Sequence, residues 1–272
     1  MTRLYAEVIG DPIAQSKSPL IHNFWLGKLG IDAEYRSRRV SALAAADYFT
    51  QVRADADWLG CNVTMPLKGL VGGEIDRIDR SAAKIGAINT VVREGDVLAG
   101  YNSDGAGFLE PFEGRFDDDR RRTACLMGTG GAARSIAIAL LEAEFNLTVL
   151  GRSQQRAADF ALSIGAPLEI RPGAIGDPLR DPALLVNATS LGMAGQPDLP
   201  VSLDSLGPDA IVYDIVYSPL ETPLLAAARQ RDLATIDGLQ MLVGQAAVAF
   251  EKFFGVQAPR QHDAELRERL IA

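Results

Sequence analysis

Thr123-Ala124-Cys125-Leu126-Met127-Gly128-Thr129-Gly130-Gly131-Ala132-Ala133 is the stretch that decides the fold. Its first five residues form an apolar strand candidate, and Ala132 to Glu142 continues it as a strongly apolar helix. The turn between them fits G-x-G-x-x-A, with Ala133 in the third position. A glycine turn entering a helix brings backbone N–H groups against a pyrophosphate. Gly128, Thr129, Gly130, Gly131 and Ala132 are therefore candidate dinucleotide contacts. The alternative is a glycine-rich helix start that holds no ligand; the strand before it and the helix after it favour the cofactor.

Downstream, strands are expected at Leu147 to Leu150, Leu184 to Ala188, Ile211 to Ile215 and Ala234 to Ile236, with a helix at Pro223 to Arg231. Strands alternating with helices at this spacing imply a parallel sheet covered on both faces. An NAD-binding fold usually places an Asp or Glu about 20 residues past the fingerprint, on the ribose hydroxyls. Here Gly151-Arg152-Ser153-Gln154-Gln155-Arg156 stands instead. An acid would repel a 2′-phosphate, whereas Arg152, Arg156 and the Ser153 hydroxyl would bind it. NADP is favoured over NAD, the alternative being that both arginines are merely solvated.

Upstream, Tyr5 to Ile9, Glu34 to Val40 and Trp58 to Thr64 read as strands, Pro19 to Leu29 and Ala42 to Val52 as helices, and Ile88 to Val92 with Val97 to Tyr101 as a hairpin. Asn62, Thr64 and Lys68 lie within one short stretch, and Asp104 follows Asn102-Ser103. Amide, hydroxyl, ammonium and carboxylate are the groups needed to hold a polyhydroxylated molecule and move a proton on it. A surface lysine and a helix-capping aspartate are the plain alternatives. Ser16 and Ser18, at alternate positions, could aim at one carboxylate or serve as loop and cap hydroxyls before Pro19. Gln245, on an apolar helix from Leu239 to Phe254, needs a partner if buried. A polyol site joined to a dinucleotide site suggests hydride transfer.

The composition limits the alternatives. With 272 residues, 47% hydrophobic and 23% charged, the chain is an ordinary globular protein of one large or two modest domains. A net charge of −8 argues against a nucleic-acid partner. Asp117 to Asp119 followed by Arg120 to Arg122 reads as a solvated linker. Cys61 and Cys125 read as buried thiols of a reducing compartment, and two isolated histidines, His22 and His262, offer no metal site. No signal peptide or membrane span is legible, so a cytoplasmic location is expected.

With these residues in hand, the chain resembles the shikimate dehydrogenases over nearly its whole length. The resemblance rests on Gly10-Asp11-Pro12-Ile13, Ser16-Lys17-Ser18-Pro19, Ile21-His22-Asn23, Asn62-Val63-Thr64 with Pro66 and Lys68, and Gly86-Ala87-Ile88-Asn89-Thr90. It continues through Gly100-Tyr101-Asn102-Ser103-Asp104, Asn187-Ala188-Thr189-Ser190-Leu191-Gly192-Met193, Tyr217 with Pro219, and Gly238 with Met241 and Gln245. It implies a two-domain enzyme that reduces 3-dehydroshikimate to shikimate with NADPH, on the route to chorismate and the aromatic amino acids. By resemblance, Ser16, Ser18, Asn62, Thr64, Asn89, Asp104, Tyr217 and Gln245 line the substrate site, and Lys68 and Asp104 are the catalytic pair. The Gly128 turn, Arg152, Ser153, Arg156, Thr189 and Met193 would face NADP, with Gly238 and Met241 near the nicotinamide. Gln15, Ser103, Gly151 and Ser153 depart from the family's usual His, Thr, Asn and Thr. Gly151 removes one side-chain contact at the adenosine end.

The expected architecture is α/β in two domains. Residues 1–104 form a substrate and catalytic domain, 105–237 a Rossmann-like doubly wound NADP domain, and 238–272 helices that return to the first domain. The substrate is a small molecule, and the chain is a monomer or homodimer. Two other readings stand beside this one: a family member that prefers quinate, and a noncatalytic NADP- or shikimate-binding regulator.

Overall fold

The computed structural model describes residues 3–112, 122–165, 169–172 and 182–272. Two units separate, Met1–Ser103 together with Gln245–Ala272, and Asp104–Gly244. Most of the Asp117 to Arg122 charge run lies outside the described residues; its last member, Arg122, pairs with Glu144 at 2.9 Å.

The first unit carries β1 (Leu4–Gly10), α1 (Ser18–Leu29), β2 (Ala33–Arg39), α2 (Ala45–Arg53) and β3 (Trp58–Val63), then β4 (Arg77–Ile78), α3 (Arg80–Ile85), β5 (Thr90–Glu94) and β6 (Val97–Tyr101). Its sheet runs in the order β2-β1-β3-β5-β6-β4. The first three strands are parallel, because helices connect them, and β5–β6 is the antiparallel hairpin turning at Gly95, where φ is +64°. Helix α2 buries Tyr48, Phe49 and Val52 with Ile9, Trp58, Val63 and Leu98. This cluster fixes β3, whose C-terminal end delivers Asn62 and the turn to Lys68.

A second apolar cluster of this unit is aromatic. Here α1 contributes His22 and Trp25, β2 contributes Tyr35, and the long helix α8 (Gly238–Phe254) contributes Phe250 and Phe253. The His22 ring stacks on Tyr35 with centroids 4.0 Å apart and 4° between planes. Neither ring nitrogen has a hydrogen-bond partner among the described residues. Burial pulls the imidazole down from 6.5 to about 3, because a charge there would have no solvation. The folded state thus takes up this proton less readily than the unfolded chain, and stability falls as pH drops from about 6.5 toward 3. In urea unfolding series, His22→Phe should gain on the wild type by about 1.4 kcal/mol for each pH unit lowered between roughly pH 6 and 4, whatever constant offset repacking adds. Parallel pH profiles for the two proteins would rule the ring out as the titrating group.

The second unit contains α4 (Asp104–Leu109), β7 (Thr123–Met127), α5 (Gly131–Glu142), β8 (Asn146–Gly151), α6 (Gln154–Ile164) and β9 (Glu169–Pro172). After these come β10 (Leu184–Asn187), β11 (Ile211–Asp214), α7 (Pro223–Arg229), β12 (Ala234–Ile236) and the start of α8. The sheet order is β12-β11-β10-β7-β8-β9, with every neighbouring pair parallel. Read from β9, the strands stand third, second, first, fourth, fifth and sixth in chain order, which is the doubly wound Rossmann arrangement. The order reverses between β7 and β10. Ligands in such sheets bind beyond the carboxyl ends of the strands at that switch point.

Helix α8 starts in the second unit and ends in the first, so the chain's last helices, with α9 (Asp263–Ile271), belong with the N-terminal sheet. Among the described residues, no helix is long and apolar enough to cross a membrane.

Candidate active site

In the first unit Asn62 lies near the carboxyl end of β3, with Thr64 and Lys68 in the turn that follows it. The chain leaves Val63 through Thr64, Met65 and Pro66 into a single 3₁₀ turn, Leu67–Gly69, that carries the half-buried Lys68. Backbone bonds pin this turn: Thr64 N–H to Ile9 O at 2.9 Å, Leu67 N–H to Thr64 O at 2.8 Å, and Ile88 N–H to Lys68 O at 2.7 Å. The Lys68 side chain is therefore presented by a fixed backbone.

Behind this turn runs a continuous hydrogen-bond chain. The Tyr35 hydroxyl donates to Asn62 Oδ1 at 2.6 Å, and Asn62 Nδ2 donates to Asn89 O at 3.2 Å and Thr90 Oγ1 at 3.1 Å. Thr90 Oγ1 donates to Asn89 Oδ1 at 2.9 Å, Asn89 Nδ2 donates to Ser103 Oγ at 3.0 Å, and Ser103 Oγ lies 3.4 Å from Gln245 Oε1. Both Asn62 donors are engaged within the protein, so its amide braces the array. Asn89 is held on both sides as well, with its Oδ1 also accepting from Ser103 N–H at 2.8 Å. A buried, mutually satisfied network of this kind fixes side-chain orientation.

Ser16 and Ser18 share one turn, in which the Ser18 N–H donates to Ser16 Oγ at 3.3 Å. Between them, Lys17 Nζ donates to the carbonyl of Leu270 near the end of α9. The C-terminal helix thereby anchors the serine turn, a link that no local sequence signal announces.

In the second unit, Gly128 follows β7 with φ +116°, and a Cβ there would lie 2.8 Å from the Ala188 carbonyl oxygen. Only glycine fits. Gly130 is the N-cap of α5 and makes no side-chain capping bond, and a Cβ at Gly130 or Gly131 would meet nothing within 4 Å. A helix start with no side-chain cap and with room where side chains would stand, at the switch point, suits a pyrophosphate. Ala132 and Ala133 continue the first turn of the helix. Thr129 sends its methyl to 3.0 Å from where a Cβ on Gly151 would sit, so the bare glycine that ends β8 accommodates it.

Arg152 and Arg156 are exposed, and neither forms an ion pair among the described residues. Ser153 is the N-cap of α6, accepting from Arg156 N–H at 3.3 Å. These residues fit a cofactor bearing a phosphate on its ribose: two uncommitted guanidinium groups flank a helix start, with no carboxylate in the segment.

The remaining residues of this unit occupy neighbouring strand ends. Thr189 accepts from Leu191 N–H at 3.0 Å in the turn after β10, and Met193 at the end of that turn is 42% exposed. Gly238 packs so closely on the turn after β11 that a Cβ would fall 2.3 Å from Ile215 O and 2.6 Å from Val216 O. Met241 is buried one turn later on α8. Tyr217 is half-buried, and burial raises its phenol above the usual value, leaving it a neutral donor. Asp104 is buried as the first residue of α4.

Residues 8–91 match the family model described as the shikimate dehydrogenase substrate binding domain, and residues 238–265 match the shikimate 5'-dehydrogenase C-terminal domain. The shikimate dehydrogenase (NADP(+)) of Sphingopyxis alaskensis is 49% identical over 270 residues, covering 98% of this chain and 97% of that protein. Among solved structures, shikimate 5-dehydrogenase from Thermus thermophilus in complex with NADP(H) and shikimate has a TM-score of 0.87 at 33% identity, covering 98% of this chain and 99% of that one. The ligand-free 5-ketofructose reductase of a Gluconobacter strain has a TM-score of 0.91 at 29% identity, covering 99% of each chain. On these grounds the chain belongs to the shikimate dehydrogenase family.

Proposed function

We propose that this chain is an NADP-dependent shikimate dehydrogenase, catalysing the reversible reduction of 3-dehydroshikimate to shikimate. Kinship along the full length carries the reading, at 49% identity over 98% of the chain to a shikimate dehydrogenase (NADP(+)). When bound, NADPH supplies the hydride that turns the ketone into an alcohol. The chain's own residues supply the rest. Reduction leaves negative charge on the former carbonyl oxygen, and Lys68 Nζ, as ammonium, delivers the proton; in the oxidation direction its amine receives it. Asp104 accepts a hydrogen bond from a neighbouring substrate hydroxyl and orients the exchange. Ser16 and Ser18 take the carboxylate, while Thr64, Asn89, Tyr217 and Gln245 take hydroxyls, with Asn62 bracing them through Asn89. Gly128 to Ala132, Arg152, Ser153, Arg156, Thr189, Met193, Gly238 and Met241 hold the cofactor.

A small-molecule substrate, no nucleic-acid partner and a cytoplasmic location complete the proposal; the net charge of −8 and two buried free thiols support it. The assembly is a monomer or homodimer. The likeness to a ketofructose reductase makes substrate choice the sharpest test. A site built on hydrogen-bonded Asn89, Ser103 and Gln245 should reject analogues that leave its polar groups unpaired. In steady-state assays, kcat/KM for shikimate should exceed that for quinate, and 3-dehydroshikimate should be reduced faster than 5-ketofructose. Equal or reversed orders would move the chain to another activity within the family.

A further inference from the structure

Asp214 is fully buried, yet nothing in the proposed chemistry uses it. It ends β11, directly opposite Asn187 at the end of β10 in the parallel register. A carboxylate removed from water is costly unless donors surround it. Here three segments supply them. Asn187 Nδ2 reaches Oδ1 at 2.9 Å, the Val216 N–H reaches Oδ1 at 3.0 Å, and the Thr222 hydroxyl reaches Oδ2 at 2.7 Å.

Two of these donors lie in loops that the proposed function needs, and the third begins helix α7. Asn187 Nδ2 also donates to Leu191 O at 3.1 Å, and its Oδ1 accepts from Thr189 N–H at 3.0 Å and Thr189 Oγ1 at 2.7 Å. Val216 precedes Tyr217, and the carbonyls of Ile215 and Val216 are those that press on Gly238. Thr222 caps α7, accepting from Leu225 N–H at 3.3 Å. A further bond, Ala194 N–H to Ser218 O at 2.9 Å, ties the two loops together beyond Met193. One buried charge thus sets the shape of both turns.

We propose that Asp214 is a positioning residue, which locks the 187–193 loop and the 214–218 turn into one arrangement that presents Thr189, Met193, Tyr217 and Gly238 to the cofactor and substrate. This inference rests on the proposed NADP-dependent activity. A purely structural role would lower stability and leave the folded protein's ligand affinity unchanged.

The test is NADPH binding by fluorescence titration on folded protein, accompanied by hydrogen exchange and by kcat and KM for shikimate. Asp214→Asn keeps the shape but sets an amide hydrogen where an acceptor stood. It should weaken NADPH about ten- to a hundredfold, as expected for loss of charge-assisted bonds, raise KM for shikimate and speed amide exchange at Thr189 and Val216. Thr222→Ser retains the donor and should stay within about twofold of wild type, whereas Thr222→Val removes it and should weaken NADPH part of the way. If Asp214→Asn does not fold, Thr222→Val decides. Unchanged NADPH affinity in whichever variant decides, with the wild type binding normally, overturns the inference alone. A wild type that fails to bind NADPH overturns the proposed activity and the inference with it.

Discussion

Lys68→Ala should lower kcat by roughly 10² to 10⁴, the usual effect of removing a general acid or base, while KM for shikimate changes far less. The expectation rests on how the residue is held. Its turn is fixed by main-chain bonds, from Leu67 N–H to Thr64 O, from Leu70 N–H to Leu67 O and from Ile88 N–H to Lys68 O, each between 2.7 and 2.8 Å. None of these uses the lysine side chain. Alanine should therefore keep the turn's main-chain bonds while removing the ammonium, and a fall in kcat with KM largely kept would mark the loss as chemical. Without the lysine amine, water must take the hydroxyl proton as shikimate is oxidised, and must supply it to the alkoxide in the reverse direction. Steady-state kinetics with purified variant would detect this, and a kcat near wild type would end the assignment of Lys68 as the proton donor.

Replacing Arg152 and Arg156 together by Ala should weaken NADP by about a hundredfold or more while NAD changes little. Each charge-assisted contact to a phosphate contributes on the order of 1.5–3 kcal/mol, about ten- to a hundredfold, and only NADP carries the 2′-phosphate. Both guanidinium groups are solvent-exposed and lack ion-pair partners among the described residues, so no structural bond is lost in the double variant. Arg152 follows the end of β8 and Arg156 lies in the first turn of α6, whose N-terminus also favours an anion. Titration of both cofactors against both proteins is the measurement. A proportional loss for NADP and NAD would make the arginines ordinary surface residues.

The fold was largely legible because its signals are local. The apolar run Thr123–Met127, the glycine turn and the apolar α5 announce the nucleotide-binding half, and the missing acid after β8 points to NADP from residues alone. Short elements escaped. Helix α3 has only six residues, although Asp79 caps it by accepting from Ser81 N–H and Gly86 ends it at φ +67°. Helix α4 hides among Gly105 and Gly107 where the domain boundary is expected, and α6 follows a segment whose arginines read as cofactor contacts rather than as a helix.

The bracing of the site was not legible, for a physical reason. Asn62 meets Thr90 because β3 and β5 pair in that register, and Asn187 meets Asp214 because β10 and β11 do. Tyr35 joins the first network from a third strand, 27 residues before Asn62. Strand register is set by long-range packing, so residues that touch across a sheet carry no common spacing in the sequence. Polar residues on adjacent strand ends, such as Asn187 and Asp214 closing otherwise apolar strands, were the signal available, and pairing them required the sheet order.

NADP-dependent oxidation of shikimate is tested most directly by absorbance at the reduced-nicotinamide band when the purified protein meets shikimate with NADP or with NAD. The expected result is a rise with NADP that is faster than with NAD and is lost in Lys68→Ala. No rise with either cofactor, or a faster rise with NAD, would contradict it.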